Sequence, residues 1–523
     1  MPLQTQVLII GGGVTGTGLA RDLALRGIDC VLVEKQDINA GASGGNHGLL
    51  HSGARYIVSD PAAAGECRRE GRLLKTLAPH CIEDTGGLFV AVAGDDENYV
   101  ADFPQTCAQR GISTQTLNIQ DAREMEPALS DRIIAAFHVE DAAIDPFSLS
   151  LNNMAHAQQL GCRLLRFTQV VDFQISHGRI RTVLLLNRET GEKMSLEAEI
   201  IVNAAGAWAG SVAALAGAQI KMVYSKGSLL VAHTRITERV INRLRHPTDG
   251  DILVPGGTVS ILGTTSERTE SPDLIYPEIH EIDHIIEEGA AMLPVLASTR
   301  YIRAYCGVRS LLATEDTGDD RSVSRGFALI DHAEIGERIT NLVTITGGKL
   351  TTYRLMAEKA ADLVCRRLDV QKPCTTHEEP LPDSDNARWT QPGLAPTLWL
   401  RTQDPGAIPL CECELVPKSV VDTIVTAVRQ NNDQPSLKAI SLRSRMGKGP
   451  CQGTFCSQQV TAYLYDRDIF QGGEGVAQIG AFIRERWRGQ RVLLWDTSLG
   501  QAELLEAMHC GVFGLELEAG PFE

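Results

Sequence analysis

The sequence is short of aromatic residues and of positive charge. Phe, Trp and Tyr make up 5% of its 523 residues, and 49 Lys and Arg face 65 Asp and Glu, for a formal net charge of −16. An acidic chain is a poor partner for nucleic acid or anionic lipid, so neither is expected. No basic, apolar leader opens the chain; the first apolar run is four residues long and ends in glycines. Only the uncharged residues 200–220 are long enough to test for a membrane span. They include Asn203, Gly206, Gly210, Ser211, Gly217 and Gln219. That mixture suits a buried strand running into a small-residue helix, whereas lipid requires about 20 predominantly apolar residues. The expectation is a cytoplasmic chain with no transmembrane segment of its own. Thirteen cysteines is an odd number, and most stand far apart, which in a cytoplasmic chain reads as reduced thiols.

Glycine, by contrast, is plentiful at 49 residues, and the apolar and charged fractions of 43% and 22% are those of an ordinary soluble chain. At roughly 100–200 residues per domain, the length predicts about three domains. The chain begins with a strand–glycine–helix–strand unit. Val7–Ile10 is apolar, Gly11-x-Gly13-x-x-Gly16 follows, a helix through Leu19, Leu23 and Ala24 stops at Gly27, and Cys30–Val33 is the next strand, ending at Glu34. Gly11 permits a tight turn, Gly13 lets backbone approach a pyrophosphate, and Gly16 with Ala20 lets helix and strand pack closely. The helix N-terminus offers free N–H groups to phosphate, and Glu34 suits an unphosphorylated ribose. FAD is favoured over NAD because the motif opens the chain and a second small-residue turn, Asn203-Ala204-Ala205-Gly206, follows the strand Ile200–Val202. The expected flavin contacts are Gly11, Gly13, Gly16, Glu34, Lys35, Ser43, His47, Ala205, Gly206, Gly348, Lys349 and Leu350.

A second group of residues points to an anionic substrate. His47, His51 and Arg55 recur every four residues, as on one helix face, although Gly48 and Gly53 interrupt it. Arg309 sits in Cys-Gly-Val-Arg-Ser, and Lys349 follows Gly347-Gly348 at the start of a helix of 3.6-residue period over 350–368. That helix N-terminus can stabilise negative charge. Past it, residues 372–409 carry Pro373, Pro380, Pro382, Pro392, Pro396, Pro405 and Pro409, a linker or extended wrap. Then Cys411-x-Cys413 and Cys451-x-x-x-x-Cys456 cluster. Four thiolates suit a 2Fe–2S cluster or a structural zinc, and the spacing alone leaves both open. Gly447, Gly449 and Gly453 allow N–H groups to approach sulfur, and Arg443, Arg445 and Lys448 are expected to offset thiolate charge. Pro417 and Ser436 mark the starts of two short helices around this module.

The pieces GGGVTGTGLARDLALRG, NHGLLHSGARY, NAAGAW, KGSLL, GVR and GGKLTTYRLMAE resemble the FAD-dependent glycerol-3-phosphate dehydrogenase family, in its anaerobic large-subunit form, over most of residues 5–365. The CxC…CQGxxC pattern resembles the bacterioferritin-associated-ferredoxin-like 2Fe–2S domain. The resemblance implies an α/β fold: a Rossmann-like FAD-binding domain with an interleaved α+β substrate domain over 1–371, the Pro-rich linker over 372–409, a small helical 2Fe–2S domain over 410–465 and a helical extension over 466–523. It implies oxidation of sn-glycerol 3-phosphate, with Arg55, Tyr56, Arg309 and Lys349 at the substrate. It implies a cluster on Cys411, Cys413, Cys451 and Cys456. It also implies two further subunits, one flavin-bearing and one iron–sulfur and membrane-associated, leading to quinone and holding the chain peripherally on the inner face of the cell membrane. Two departures stand out: Leu229 occupies a position where some aerobic relatives carry histidine, and Ser310 follows Gly-Val-Arg where proline is commoner. The first leaves the general base between His51 and, second, His47. Other readings are a dehydrogenase or oxidase of another small 2-hydroxy or amino acid, and a redox subunit whose flavin site is inactive.

Overall fold

The computed structural model describes residues 2–273, 275–312, 326–334, 339–382, 399–402, 404–430 and 433–515. Two large sheets, a small three-stranded sheet and a helical module with its own short hairpin make up the described residues. The first sheet has a parallel core of five strands, β1 (Leu3–Ile10), β2 (Cys30–Val33), β3 (Arg163–Leu165), β4 (Lys193–Asn203) and β5 (Leu342–Gly347), in the spatial order β5-β4-β1-β2-β3. Val7–Ile10 and Cys30–Val33 are buried throughout, as parallel strands covered on both faces should be. Helix α1 (Val14–Leu25) returns from β1 to β2 and lies against α2 (Pro146–Gln159) and α3 (Tyr353–Arg367). Ile9, Leu19, Leu23, Val202, Ala357 and Ala361 share that core. A Cβ on Gly18 would meet the Tyr353 ring at 2.8 Å, so this glycine sets how closely α1 and α3 approach.

The second sheet has nine strands drawn from Gly87–Val139 and Met222–Leu312. It alternates with the first along the sequence, giving the mixed α/β fold expected. Its longest pairing is antiparallel, Met222–Ala232 against Tyr301–Leu312, with Ser225 opposite Arg309. Lys226, in the Lys-Gly-Ser segment, is tied to Glu281 at 3.0 Å and serves the fold. The uncharged residues 200–220 form the end of β4, a single 3-10 turn Gly206–Trp208 and a helix Ala209–Leu215. Among the described residues no helix is long and apolar enough to cross a membrane.

The helical module comprises α4 (Lys418–Gln430), α5 (Leu437–Arg443), α6 (Cys456–Asp466), α7 (Glu474–Gln490) and α8 (Asp496–Phe513), preceded by a short hairpin Pro409–Cys411 and Val416–Pro417. Pro417 ends that hairpin immediately before α4, and Ser436 Oγ accepts from Ala439 N at 3.0 Å to cap α5. Val421, Ile424, Ile440, Val460, Ile479 and Phe482 share one core. The expected boundary at 465/466 therefore falls inside a hydrophobic cluster, because α7 supplies part of its packing. Leu493, just past α7, belongs instead to the core of the second sheet.

The module is docked. Asp37 accepts from Arg443 Nη1 at 3.0 Å and from Arg166 Nη1 at 2.6 Å, and Arg166 Nε donates to Asp433 at 2.8 Å. Thr258 Oγ1 donates to Glu414 at 2.5 Å, and Arg445 joins Glu414 to the Gly256 carbonyl. Arg443 and Arg445 thus join parts of the chain to one another; Arg445 also feels the charge of Cys411, whereas Arg443 is paired with Asp37. Of the Pro-rich stretch, 383–398 and 403 lie outside the described residues. Residues 372–382 wrap the body: Lys372 Nζ donates to the Leu25 carbonyl at 2.6 Å, Arg21 Nη2 to Glu379 at 2.8 Å and Leu381 N to Leu77 at 2.7 Å.

Candidate active site

Three turns meet at the carboxyl ends of β1, β4 and β5, the place where open α/β sheets bind ligands. They are Gly11–Gly13, Ala204–Gly206 and Gly347–Leu350, and they line a cavity of about 540 Å³. Gly11 has φ +114°, and a Cβ there would stand 2.6 Å from the Ala204 carbonyl oxygen. Gly13 faces Ser43, whose Oγ accepts from Val14 N at 3.0 Å. A Cβ on Gly13 would lie 3.0 Å from that Oγ, so side-chain bulk would fill the approach to the helix. Gly16 does not reach the cavity. Its Cβ would be 2.0 Å from the Gly11 carbonyl oxygen, so its part is helix–strand packing.

Glu34 lines the cavity and accepts from Gly12 N at 2.7 Å and Gln36 N at 2.8 Å. Each carboxylate oxygen keeps a second lone pair for a ribose hydroxyl. Burial raises its pKa and those two N–H groups oppose the rise. Lys35 Nζ lies 3.8 Å over the Trp208 ring. Trp208 and Gln169–Val170, which sequence reasoning did not single out, also border the cavity; Trp208 is at the end of Asn-Ala-Ala-Gly-Ala-Trp, the signal that points to it. The turns, the long cavity and Glu34 fit an adenine dinucleotide flavin.

The same cavity carries His47, His51, Tyr56, Arg309 and Lys349. Their spacing in sequence does not arise from a helix. Gly48 and Gly53 adopt φ +72° and +98°, and the segment folds as a short strand Leu49–Leu50 followed by a 3-10 turn Ala54–Tyr56. The imidazoles nonetheless converge, with centroids 6.3 Å apart, and Tyr56 Oη is 3.4 Å from His51 Nε2. Lys349 Nζ stands 4.8 Å from the centre of the Tyr56 ring. Lys349 precedes a 3-10 turn, Leu350–Thr352, that leads into α3. Arg309 is held by Thr264 Oγ1, by the Thr265 carbonyl at 3.0 Å and by Ser225 Oγ at 3.3 Å. Gly227 makes room for its guanidinium, which a Cβ there would meet at 2.7 Å.

Arg55 is the exception among the expected substrate contacts. It stands outside the lining, paired with Asp251 at 3.0 Å and with the Thr248 carbonyl, and its Nη1 is buried with no hydrogen-bond partner. It still acts on the site through its charge. Burial, then Arg309 and Arg55, lower His47 to about 3; burial, then His47, Arg55 and Lys349, lower His51 well below 6.5. Both imidazoles are neutral at pH 7, and His47 Nδ1 has no partner. Leu229, where some relatives carry histidine, is buried in the second sheet and does not border the cavity.

Across the molecule, Cys411, Cys413, Cys451 and Cys456 face one another. Sγ of Cys413 is 3.9 Å from that of Cys411 and 3.6 Å from that of Cys451. Cys413 and Cys456, then the N–H groups of Gly453 and Phe455, hold Cys451 far down as a thiolate. A Cβ on Gly449 would stand 2.9 Å from Cys413 Sγ.

Comparison with known proteins agrees with this geometry. Residues 6–363 match the family of FAD dependent oxidoreductases. Over 98% of both chains, the sequence is 40% identical to an anaerobic glycerol-3-phosphate dehydrogenase subunit of Escherichia coli strain K12. It is 37% identical to an anaerobic glycerol-3-phosphate dehydrogenase subunit of Haloferax volcanii over 97% of this chain and 90% of that one. In fold it is similar to the glycerol-3-phosphate dehydrogenase from Bacillus halodurans complexed with FAD, with a TM-score of 0.62 and 21% identity over 94% and 96% of the two chains. The chain belongs to the FAD-dependent oxidoreductase family and, within it, to the FAD-dependent glycerol-3-phosphate dehydrogenases.

Proposed function

We propose that this cavity oxidises sn-glycerol 3-phosphate to dihydroxyacetone phosphate. The observation that carries the reading is the convergence of two cations, Arg309 and Lys349, and two neutral imidazoles on a cavity that also holds the dinucleotide turns. Arg309 and Lys349 bind the phosphate and orient C2, while Arg55 adds positive potential from behind the wall. His51, or His47 beside it, takes the proton of the C2 hydroxyl as C2–H leaves with its electron pair and the C–O bond becomes a carbonyl. FAD, held by Gly11–Gly13, Glu34, Ser43, Ala205–Gly206 and Gly348–Leu350, supplies the two-electron acceptor for that hydride. The substrate also prepares its own base. Its phosphate offsets the fields of Arg55 and Lys349 that hold His51 down, so the imidazole gains proton affinity when substrate is present. An anaerobic titration tests the reading: glycerol 3-phosphate should bleach the flavin, and lactate and glycine should not. Bleaching by either of the latter, or by none of the three, removes the substrate assignment.

The reading extends to the exit of electrons. Cys411, Cys413, Cys451 and Cys456 are read as ligands of a 2Fe–2S cluster, supported by the close sulfurs and by N–H groups aimed at Cys451. Such a cluster supplies one-electron chemistry, which a two-electron oxidation needs if its acceptor takes electrons singly. Two further subunits, one flavin-bearing and one iron–sulfur and membrane-associated, then lead to quinone, with this chain peripheral on the inner face of the membrane. The Escherichia coli and Haloferax volcanii relatives are each named as one subunit of a dehydrogenase, which supports an assembly of this kind. Dithionite-reduced protein should give a 2Fe–2S paramagnetic signal that is absent from Cys451→Ser; one zinc and no iron would defeat the cluster.

A further inference from the structure

Behind the loop Gln36–Gly48, on the side away from the active-site cavity, lies a second cavity of about 610 Å³. Its walls come from that loop, from the strand Tyr301–Leu312 and from the helical module. Six cations line it, among them Arg303, Arg445, Lys448 and Arg486, together with four carboxylates, and these four cations are unequally satisfied. Arg445 is fully paired, with Glu414 at 2.7 Å and the Gly256 carbonyl at 3.0 Å. Arg303 gives Nη2 to Glu485 at 2.6 Å, but its Nε is buried without a partner. Arg486 donates only to neutral oxygens, Gln452 Oε1 at 3.4 Å and Ser441 Oγ at 3.3 Å, lies 4.8 Å from the centre of the Phe482 ring, and leaves its Nε likewise unpartnered. Lys448 Nζ reaches the Leu442 carbonyl at 3.5 Å and lies 4.4 Å from the centre of the Phe147 ring. Among the described residues neither Lys448 nor Arg486 has a carboxylate partner.

Cations withdrawn from water without a direct ion pair are costly; Asp145 and Glu414 attract Lys448 and Glu485 attracts Arg486 only from beyond contact, while the cations stand close enough to repel one another. Burial first, then Arg445 and Arg486, bring Lys448 down to about 8 against the pull of Asp145 and Glu414. An anion in the cavity would relieve both costs. The cavity is of the size that takes small organic ligands, commonly ~300–1,000 Å³, and is far larger than a bare inorganic anion requires. Phe147, Phe482, Ile261 and Pro255 give it an apolar side. We propose that this second cavity is a binding site for an aromatic monophosphate of mononucleotide size, its phosphate held by Arg303, Lys448 and Arg486 and its ring against the apolar side.

The test uses the full-length protein saturated with FAD, titrated by equilibrium dialysis with AMP, FMN and inorganic phosphate. At least one of the two mononucleotides should bind at one site per chain beyond the FAD, and more tightly than inorganic phosphate. Lys448→Gln and Arg486→Gln should each weaken that binding about tenfold or more with FAD content unchanged. If Arg486→Gln does not fold, acetylation of Lys448 in the wild-type protein, read by mass spectrometry, should be suppressed by the bound mononucleotide. No binding of either mononucleotide, phosphate binding as tight as theirs, binding indifferent to Lys448→Gln, or acetylation of Lys448 unaffected by ligand would each overturn the proposal.

Discussion

The cations of the active site and two of the helical module, Arg443 and Arg445, look alike in sequence, both sets standing near glycines, yet they are placed for opposite purposes. Arg309 is anchored by hydroxyl and carbonyl oxygens and Lys349 lies over an aromatic ring, so both keep positive charge directed at a cavity. Arg443 and Arg445 are discharged against Asp37 and Glu414 inside the fold. The first arrangement favours an incoming anion. The second holds two parts of the chain together and leaves nothing for a ligand. A basic residue's role is therefore decided by whether its counter-ion is already in the chain.

That contrast can be broken from either side. Gly13→Val should have the largest effect, filling the approach to α1 and leaving the purified protein without flavin, whereas Cys451→Ser should retain a full complement; flavin absorbance per chain measures both. Next is Asp37→Ala, which strands Arg443 in the interior and leaves Arg166 with Asp433 alone. Removing one partner of a buried pair costs about 3–5 kcal/mol, so the unfolding midpoint in urea should fall sharply. The pair already holds Asp37 down to about 2 against the effect of burial. Arg309→Ala and Lys349→Ala should each lower kcat/KM with a soluble dye by about 10²-fold or more, while Arg443→Ala should change that constant little and lower stability instead. If Arg443→Ala lowered kcat/KM as far as Arg309→Ala does, the contrast would fail.

The smallest effect is one of pH. Both active-site histidines are held below 6.5 in the folded chain, His47 at about 3, and regain an ordinary value on unfolding. The unfolded chain therefore takes up protons first. Their contribution to stability is whole above about pH 6.5 and is lost as pH falls below it, towards 3 for His47, at up to about 1.4 kcal/mol per pH unit for each. The double variant His47→Gln, His51→Gln should flatten that slope in urea unfolding measured between pH 7 and pH 5.

What the sequence disclosed is the chemistry carried by local pattern. The glycine fingerprint, Glu34 ending β2, the turn at Ala205–Gly206 and Gly-Gly-Lys before α3 need only a few consecutive residues to be recognised, and all border one cavity except Gly16. What stayed hidden depends on residues far apart. Asp37 and Arg443 are 406 positions from each other, and the constraint on Gly18 comes from Tyr353. The four-residue spacing of His47, His51 and Arg55 suggested one face of a helix, but positive φ at two glycines gave another route to a similar meeting of the histidines and turned Arg55 to Asp251. The share of α7 in the module's core was hidden because its apolar positions fit a partner surface as well as an internal one.

The loop Gln36–Gly48 has a face on each of two cavities and is fastened at Asp37 to the module. Flavin loading and module docking thus draw on one piece of backbone. Thermodynamic reciprocity makes their coupling symmetrical: whatever docking adds to flavin affinity, bound flavin adds to docking. To the extent that the shared loop couples them, a protein made without riboflavin should be the one whose C-terminal helices are cut first by protease.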